Sequence, residues 1–390
     1  MSEAYIVEAV RTAGGRRKGA LAGWHPADLG AEVLNAIVDR SAIDPAAIED
    51  VIMGCVSQVG QQSFLLARNA IFASRLPQSV PGTMVDRQCG SSQQAVHFAA
   101  QAILSGTQDL VIACGVESMT RVPMMSPTKL ALDAGLGSPW SERVLGRFGV
   151  REFSQFDGAE AMAIKYGFSR TDLDAFALRS HQLAAKATNE GIFKREIVPV
   201  SVIDADGQAI LHDKDEGIRF DASIEAIASV KTLREGGRIT AANASQIADG
   251  ASAVLIASER AVKEHGLKPL ARIHQLHVHA GDPVMMLEEP VPGTLRALEK
   301  AGMRLSDIDL YEVNEAFASV PLAWLKALDA DPGKLNVHGG AIALGHPLGA
   351  SGTKLMTTLV HALHLSQKRY GLQTMCEAGG GANITIIERV

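Results

Sequence analysis

Cys89 is the first residue of this chain whose surroundings suggest catalysis. It stands in the stretch DRQCGSSQQ, after an apolar run and directly before a segment with helical spacing. A helix N-terminus stabilises negative charge, so the pKa of a thiol placed there is expected to fall. The alternative is a buried structural cysteine, because free cysteines are among the most buried side chains. The polar neighbours on both sides favour a nucleophile.

Cys376 follows a predicted strand in the stretch MCEAGGGANI. The small residues after it leave consecutive backbone N–H groups free to point at one spot, which is how an oxyanion hole is built. Taken alone, the same pattern is also typical of a simple turn between two strands.

His346 lies in a glycine-rich stretch, HGGAIALGHPLGASGTK, which covers residues 338–354. Histidine is the side chain best suited to exchange protons near neutral pH. Glycines cost backbone entropy, so a run of them indicates that the backbone approaches something closely. We expect this loop to close around a reacting group. The alternative is a loop histidine without a function.

Asn314 follows a predicted strand in the stretch EVNEAF. Its amide would lie at the C-terminal end of that strand, where α/β proteins bind ligands. Otherwise it is a turn residue, and Glu315 is then a solvated charge.

Three competing motifs can be set aside. The stretch SGTK (351–354) matches Ser-x-x-Lys, but neither Ser-Asp-Asn nor Lys-Thr-Gly follows. The glycine-lysine spacing of a phosphate-binding loop is absent from the sequence. In HQLHVH (274–279), His277 and His279 would share one strand face, but no cysteine or carboxylate pattern completes a metal site. We predict no metal.

Composition limits the class of protein further. The chain has 390 residues, 47% of them hydrophobic, and a net charge of −6, so a basic surface for nucleic acid is not expected. No apolar run approaches ~18 residues, so we predict no membrane span. The first residues lack the pattern of a secretory signal. Four cysteines do not form a disulfide framework, which favours a reduced, cytoplasmic protein.

Short apolar runs alternate with alanine-rich helical segments, which predicts an α/β fold. We expect strands over 109–115, 251–258, 309–313 and 382–390, and helices over 29–42, 92–106, 172–191 and 293–302. Gly106 stands where a helix-terminating glycine belongs.

An internal repeat divides the chain into two similar halves. Residues 36–56 resemble residues 296–316, and each half continues with a strand, a glycine-containing loop and an alanine-rich helix, over 83–103 and 335–363. Such halves usually pack face to face, with a site between corresponding loops. Residues from about 120 to 250 interrupt the pattern and predict an inserted loop domain that serves as a lid or binds ligand.

Together these segments resemble the thiolase family. The resemblance rests on QCGSS near residue 90, NEAFA (314–318), GGAIALGHPLGASG (339–352) and a near-terminal Cys-x-x-Gly-Gly; VESMTRVPM (116–124) and TAANASQIADGAS (240–252) extend it. It covers essentially the whole chain. It implies two fused βαβαβ-type halves in α-β-α-β-α layers. The first half would span 1–118 plus 250–265, the inserted loop domain 119–249 and the second half 266–390.

The resemblance also implies roles for the reacting residues. Cys89 would accept an acyl group, and His346 would take its proton. Cys376 would be the acid and base for the α-carbon of acetyl-CoA. Asn314 would hold a water that, with His346, steadies the enolate oxygen.

The remaining implied contacts concern the acyl thioester and coenzyme A. The N–H groups of Cys89 and Ala378 would bind the thioester oxygen, and Ser245 and Ala241 would contact coenzyme A. Coenzyme A is then a co-substrate, no cofactor is permanently bound, and the family's assembly implies a homodimer or homotetramer.

The implied reaction is the CoA-dependent cleavage of a β-ketoacyl-CoA through an acylated cysteine. Two alternatives are an acetyl-CoA acetyltransferase that forms acetoacetyl-CoA and a non-catalytic acyl-CoA or lipid-binding protein. A ketoacyl synthase is disfavoured by Cys376 and by GHPLGASG. A redox switch with a disulfide between Cys89 and Cys376 could coexist with catalysis.

The chain departs from the family pattern in three places. Ala378 replaces the first glycine of the usual Cys-x-Gly-Gly-Gly, and its N–H can still serve if its φ is negative. His338 stands where asparagine is common. The segment 154–163 lacks the His-Met-Gly of acetoacetyl-CoA thiolases, which favours a degradative enzyme for a longer or bulkier acyl chain.

Overall fold

The computed structural model describes residues 3–204 and 206–390. Thirteen helices and thirteen strands occur within these ranges. The strands are Ala4–Thr12 (β1), Gly15–Arg16 (β2), Asp50–Gly54 (β3), Gly82–Val85 (β4), Leu110–Ser118 (β5), Ile197–Val198 (β6), Val200–Ile203 (β7), Ala209–His212 (β8), Ala248–Ser258 (β9), Ala271–Ala280 (β10), Leu310–Val313 (β11), Tyr370–Glu377 (β12) and Gly381–Arg389 (β13). The helices are Pro26–Ser41 (α1), Leu66–Ala73 (α2), Ser91–Leu104 (α3), Ser126–Asp133 (α4), Glu142–Phe148 (α5), Gln155–Lys165 (α6), Arg170–Asn189 (α7), Ile224–Ala228 (α8), Glu259–Glu264 (α9), Pro290–Ala301 (α10), Ser319–Leu328 (α11), Ala341–Leu344 (α12) and Ser351–Ser366 (α13).

The main sheet has the order β11-β12-β13-β10-β1-β9-β5-β3-β4. In the first half, β4, β3 and β5 are parallel, and β9 and β1 continue the sheet in antiparallel pairing. The second half repeats this pattern: β11 and β12 are parallel, and β13 and β10 continue antiparallel. The two halves join through a short antiparallel pairing between β1 and β10. This confirms the predicted α/β fold with two similar halves.

Helices cover the strands in layers. The helices α3 and α13 pack against each other and against strands of both halves, with a buried core of mainly small and branched aliphatic side chains between them. The helices α1 and α2 cover the outer face of the first half, and α10 and α11 cover that of the second. The order is therefore helix, strand, helix, strand, helix, with α3 and α13 in the central layer.

The strands and helices predicted from the sequence are present, with ends shifted by a few residues. Gly106 has a φ of 74° and its N–H bonds to the carbonyl of Ile103, so it ends α3 as predicted. One prediction was wrong. The strand expected at the start of 335–363 is reduced to a single parallel bridge between Leu335 and Tyr311. The chain there turns at once into the glycine-rich loop and the short helix α12.

Residues 119–247 form a long connection between β5 and β9, which are neighbours in the sheet. The described residues of this connection form five helices, α4 to α8, the short strand β6, which pairs with β1, and the small hairpin β7–β8. The predicted boundaries of the loop domain stay a prediction. Among the described residues, no helix is both long enough and apolar enough to cross a membrane.

Candidate active site

Cys89 lies in a tight turn between β4 and α3. Gln88, just before it, has a φ of 49°, which is uncommon for a residue other than glycine. The Asp86 carboxylate accepts the Gln88 N–H at 2.8 Å, and the Ser91 N–H bonds to the Gln88 carbonyl at 3.0 Å. The turn therefore holds Cys89 at the N-terminus of α3, as the sequence predicts. Strained backbone of this kind often marks functional sites.

The Cys89 thiol is buried, and burial raises its pKa to about 12. The charge of nearby Glu377 acts in the same direction, and the backbone N–H groups of Cys89 and Ala378 oppose it. The expected fall of this pKa at a helix N-terminus was therefore wrong, because desolvation outweighs the N–H groups. Cys89 is a neutral thiol in the free protein, and it needs a base.

Cys376 ends β12 beside Cys89. It is fully buried, and burial raises the pKa of its thiol well above the usual range, with a further increase from the charge of an ionised Cys89. Cys89 packs against Met375, and a methyl group added at Gly90 would meet the Glu377 side chain, so the Cys89 turn lies against the end of β12 that carries Cys376. Both are free thiols in the structure.

A short turn connects β12 to β13 and brings the Ala378 N–H to the Cys89 sulfur. Gly379 and Gly380 carry the positive φ angles of this turn, 90° and 78°, and Ala378 is not among the residues with positive φ. The condition set by the sequence for Ala378 is therefore met. An alanine fits here because the two glycines after it supply the left-handed conformations.

His346 is buried, and its ring is held at both nitrogens. Its Nδ1 lies 2.5 Å from the Ser351 Oγ, and the Ser351 hydroxyl already donates to the Pro347 carbonyl at 2.8 Å. The ring must then carry its proton on Nδ1 and donate it to Ser351. Burial, followed by the positive charge of Lys354, lowers the pKa of His346 to about 3. The residue is thus a neutral imidazole whose Nε2 carries no proton and can accept one.

Asn314 lies at the C-terminal end of β11, as predicted. Its N–H bonds to the Thr374 carbonyl at 3.0 Å, which fixes the residue beside β12. Its Nδ2 lies 3.4 Å from the His346 Nε2, and its buried Oδ1 has no hydrogen-bond partner within the described ranges. Asn314 therefore points at the basic nitrogen of His346.

Packing links the Cys89 turn to the loop that carries His346. Cys89 belongs to a small buried cluster with Met119, Leu348 and Met375, and Leu348 lies two residues beyond His346. No hydrogen bond joins Cys89 to His346 in the described part of the chain, and such bonds are often long before a substrate binds. The structure thus brings together Cys89, Cys376 and the Ala378 N–H, and joins His346 to Asn314.

The glycines of 339–352 face protein atoms. An added methyl group would clash at each of them, namely with Ser180 at Gly339, Glu315 at Gly340, Ala248 at Gly345, Cys55 at Gly349 and Gln93 at Gly352. These glycines are therefore required by packing against protein atoms, and the expectation that the loop also closes around a reacting group stays a prediction. They let the loop pack tightly between the two halves and the inserted segment, which fixes the base from behind.

Two buried carboxylates contribute to the site in ways that the sequence did not indicate. Glu315, which could have been a solvated charge, is fully buried and accepts from Ser180, Asn336 and the Ile342 N–H. Glu117 accepts the N–H of Gly349 at 2.9 Å. Both hold the loop that carries His346. The stretches NEAFA and VESMTRVPM contain them, but only the tertiary contacts reveal their role.

Ser351 was also missed, because SGTK was set aside as a chance match. Its role depends on the backbone turn after Pro347, which no local pattern indicates. His338, the departure from the usual asparagine, packs its ring edge against Phe193 of the inserted segment, with 6.2 Å between ring centroids.

A cavity of about 440 Å³ opens beside these residues. His346, Ser245 and Ala241 line it, so the residues predicted to contact coenzyme A share a cavity with the base. Its other lining residues are mostly apolar, and the rest are three arginines, two glutamines and one glutamate; among them are Met119, Met124, Phe156, Phe317, Leu348, Arg16, Arg17, Arg219, Gln155, Gln246 and Glu216. All three arginines are solvent-exposed, and Glu216 lies 3.7 Å from Arg16 and offsets part of their charge, so the mouth keeps an excess of positive charge. Neither Cys89 nor Cys376 lines this cavity.

A paired-thiol site of this kind, with a neutral histidine and an N–H pair, is that of an acyltransferase. The model of the thiolase N-terminal domain matches residues 4–260, and that of the thiolase C-terminal domain matches residues 267–389. The chain belongs to the thiolase family, as its sequence predicted.

Two relatives illustrate the similarity. The steroid 3-ketoacyl-CoA thiolase FadA6 of Mycobacterium tuberculosis is 53% identical over all of this chain and 95% of its own length. A 3-ketoacyl-CoA thiolase of Escherichia coli is 41% identical over the full length of both proteins.

Two solved structures have the same fold. Human mitochondrial 3-ketoacyl-CoA thiolase matches with a TM-score of 0.89 at 35% identity, covering 100% of this chain and 99% of its own. The acetyl-CoA acetyltransferase of Bacillus anthracis matches with a TM-score of 0.89 at 34% identity over the same shares.

Proposed function

We propose that this chain cleaves β-ketoacyl-CoA with coenzyme A, giving acetyl-CoA and a shortened acyl-CoA. The observation that carries the proposal is that the Cys89 turn packs against the end of β12, which carries the second thiol, Cys376, while the N–H groups of Cys89 and Ala378 act on the Cys89 sulfur. Breaking a bond between two carbons in this reaction needs a sulfur nucleophile and an acid for the departing enolate. The two thiols match these needs.

In the first half-reaction, the Cys89 sulfur attacks the C3 ketone, and its proton passes to the Nε2 of His346. The C2–C3 bond then breaks, leaving the acyl group on Cys89. The electrons of the bond form the enolate of acetyl-CoA, and Cys376 donates its proton to C2. Asn314 and His346 steady the enolate oxygen.

The transfer from Cys89 to His346 is expected to accompany the attack. Burial disfavours a charge on either residue alone. When the proton moves, thiolate and imidazolium form together and stabilise each other, and the sulfur charge is consumed as the new bond forms. The neutral Nε2 of His346, left free by the Nδ1–Ser351 hydrogen bond, is suited to this role.

In the second half-reaction, the thiol of coenzyme A gives its proton to the Cys376 thiolate and attacks the acyl thioester. The N–H groups of Cys89 and Ala378 bind the developing oxyanion. Cys89 leaves as a thiolate and recovers its proton from His346. Both cysteines and the histidine return to their starting states, so the cycle balances.

The cavity supports coenzyme A as co-substrate. Arg16, Arg17 and Arg219 lie at its mouth, where they would meet the phosphates of the nucleotide, and guanidinium groups bind phosphate in a bidentate manner. Ser245 and Ala241 line the path between that mouth and His346, where they would contact the pantetheine.

We further propose that the natural acyl group is longer or bulkier than acetoacetyl. The cavity beside His346 is lined by two flexible methionines, Met119 and Met124, and by the ring of Phe156, which packs edge-on against Phe317. Methionine-rich surfaces adapt to irregular apolar groups. Similarity to a steroid 3-ketoacyl-CoA thiolase agrees with this proposal.

The test measures CoA-dependent loss of the enolate absorbance of β-ketoacyl-CoA substrates. The substrates run from acetoacetyl-CoA upward and include a fused-ring acyl group, with Cys89→Ala and Cys376→Ala beside the wild type. We expect kcat/KM to rise with acyl size, Cys89→Ala to be inactive and Cys376→Ala to lose roughly 10²- to 10⁴-fold in rate. A maximum on acetoacetyl-CoA would instead indicate the acetoacetyl-CoA-forming enzyme. Tight binding without cleavage would indicate the non-catalytic alternative.

We also propose that the protein assembles as a homodimer or homotetramer in the cytoplasm. β4 ends the main sheet, and the side chains of Phe64 and Phe72 near it are 90% and 61% exposed, which is unusual for large aromatic groups. Light scattering coupled to size-exclusion chromatography tests the assembly, and a monomer across the measured concentrations would contradict it.

A further inference from the structure

Lys354 is buried behind the loop that carries His346. It lies on α13, one turn after Ser351, and is only 6% exposed. Its Nζ donates to the carbonyl of Leu344 at 2.5 Å and to that of Gly345 at 3.1 Å. These are the two peptide units that lead directly into His346. Lys354 therefore bonds the backbone of the base without touching its ring.

A buried ammonium is costly unless other charges offset it. The Arg11 guanidinium forms a two-point ion pair with Asp215, at 2.8 and 3.0 Å, and its Nε meets Glu196 at 2.6 Å. The charges of Asp215 and Glu196 also act on Lys354. The four side chains make a buried cluster with two positive and two negative charges.

The cluster also ties the inserted segment to the loop. Asp215 belongs to that segment, and it accepts the Gly14 N–H at 2.7 Å. Gly14 in turn packs against the Leu344 carbonyl so closely that a methyl group would not fit. The backbone at residues 344–345 thus lies against Lys354 and against Gly14, which Asp215 holds in place. Gly345, with a φ of 80°, then turns the chain toward His346.

We propose that Lys354 is a positioning residue for the base: its ammonium holds the 344–345 peptide units so that the His346 ring faces Cys89. This inference rests on the proposed role of His346. The ring itself is held by Ser351 and Asn314, and the backbone N–H of His346 donates to the Gln246 carbonyl at 3.0 Å. Lys354 adds the restraint on the carbonyl side, which none of those three residues supplies.

The charge of Lys354 gives the role a second, measurable consequence. It is the charged group that lowers the pKa of His346 after burial itself, while Arg11, Asp215 and Glu196 surround Lys354 on the other side. Removing the charge makes the imidazolium easier to form. The acid limb of kcat/KM should then move to higher pH.

The test compares Lys354→Met with Lys354→Met combined with Asp215→Asn, which keeps the cluster neutral if the single variant folds poorly. Thr358→Val is the matched control: it lies one turn further along α13 and bonds to Glu196 at 3.1 Å, but it does not contact residues 344–345. Active sites are counted by alkylation of Cys89, and kcat is expressed per site.

We expect kcat per site to fall roughly 10- to 100-fold in both Lys354 variants, because small displacements of a catalytic group have effects of this size. KM for coenzyme A should change little, the acid limb should shift upward, and Thr358→Val should resemble the wild type. An unchanged kcat per site with an unshifted acid limb in either folded variant would overturn the inference. His346→Asn, run in the same assay, separates the two proposals: if it stays active, the assigned base is wrong.

Discussion

The strands β5 and β12 occupy corresponding places in the two halves of the molecule, but the connections that follow them differ in length. In the first half, β5 runs into residues 119–247 before the chain returns as β9. In the second half, β12 reaches β13 through the short turn at Ala378–Gly380. The long excursion supplies the walls of the cavity, whereas the short turn supplies an N–H group to Cys89. The two halves therefore share a framework of strands and helices, and the site is formed by the connections in which they differ.

The halves also differ in how they hold their reacting residues. Cys89 is fixed by its own backbone turn, two residues before α3 begins. His346 lies five residues before α13 and is fixed by side chains from elsewhere, among them Ser351 and Lys354. Substitution of the nucleophile should therefore abolish nearly all activity, whereas substitutions around the base should lower kcat by smaller and differing factors.

The largest effects are expected at the two cysteines. Cys89→Ala should abolish thiolysis, with a loss on the order of 10⁶-fold in kcat, as for the nucleophile of other covalent enzymes. Cys376→Ala should lose roughly 10²- to 10⁴-fold, the usual contribution of an acid or base. Mass spectrometry after mixing with acyl-CoA should find the acyl group on Cys89 in the Cys376 variant.

This result would assign the nucleophile, Cys89, to the first half and the acid, Cys376, to the second. If Cys89→Ala still becomes acylated at Cys376, the nucleophile has been assigned to the wrong half. If Cys376→Ala turns over normally, the second thiol is not the acid.

The next largest effect is expected at the short turn of the second half. Ala378→Pro deletes the N–H that faces the Cys89 sulfur and should lower kcat by about 10²- to 10³-fold, the usual loss for one oxyanion donor. Ala378→Gly keeps the N–H and serves as the control. Steady-state kinetics on one β-ketoacyl-CoA measures both variants. Equal activity of the two would mean that the turn contributes no donor.

The sequence predicts the framework better than the loops. The period of β5 and β9, the helix before Gly106 and the repeat follow from local apolar spacing, which survives folding because it determines which face is buried. The prediction of a strand at Leu335 was wrong because the chain turns into the glycine-rich loop directly after this residue. The repeat could not reveal that it is reduced to one bridge.

For the site, the sequence indicated the reacting residue types but not their supports. Cys89, Cys376, His346 and Asn314 stand in distinctive local segments. Lys354 and Glu315 act through contacts with residues far away in the chain, such as Asp215 and Ser180, and such contacts leave no local pattern. The predicted fall in the pKa of Cys89 was wrong for the same reason, because the burial of this thiol depends on the packing of both halves.

A smaller effect is expected where the halves meet. Gly352 lies in α13 against the backbone of Gln93 in α3, and an added methyl group would clash with it. Gly352→Ala should destabilise the fold by roughly 1–3 kcal/mol, the usual cost of overpacking. Denaturant unfolding measures it. Gly146→Ala is the matched control, since Gly146 is also helical and nothing lies within 4 Å of its position.

That control should be neutral or slightly stabilising, because alanine is favoured over glycine in helices by about 1 kcal/mol. A Gly352→Ala protein as stable as the wild type would mean that α3 and α13 can separate without cost. The view of one rigid central layer shared by both halves would then fail.

A further effect on stability is a pH dependence at Glu377, whose carboxyl lies against Gly90 just before α3 and whose charge acts on both thiols. Burial raises the pKa of its carboxyl from 4.5 to about 8, while Arg87 opposes the shift. Between these values the unfolded chain loses this proton and the folded chain keeps it, so the free energy of unfolding should fall as pH rises. Below about 4.5 and above about 8 the contribution should be constant. Glu377→Gln cannot ionise, so the difference in Tm between this variant and the wild type should grow in its favour from pH 5 to pH 8.

The exposed Glu235→Gln is the control and should show no such trend. If the Tm difference for Glu377→Gln stays constant across that range, the carboxyl is already ionised in the folded protein. Cys89 would then face a permanent negative charge on the side of the second half. The N–H groups of Cys89 and Ala378 would have to offset that charge in every step that places negative charge on the sulfur. The short turn would then stabilise the thiolate more than the N-terminus of α3 does.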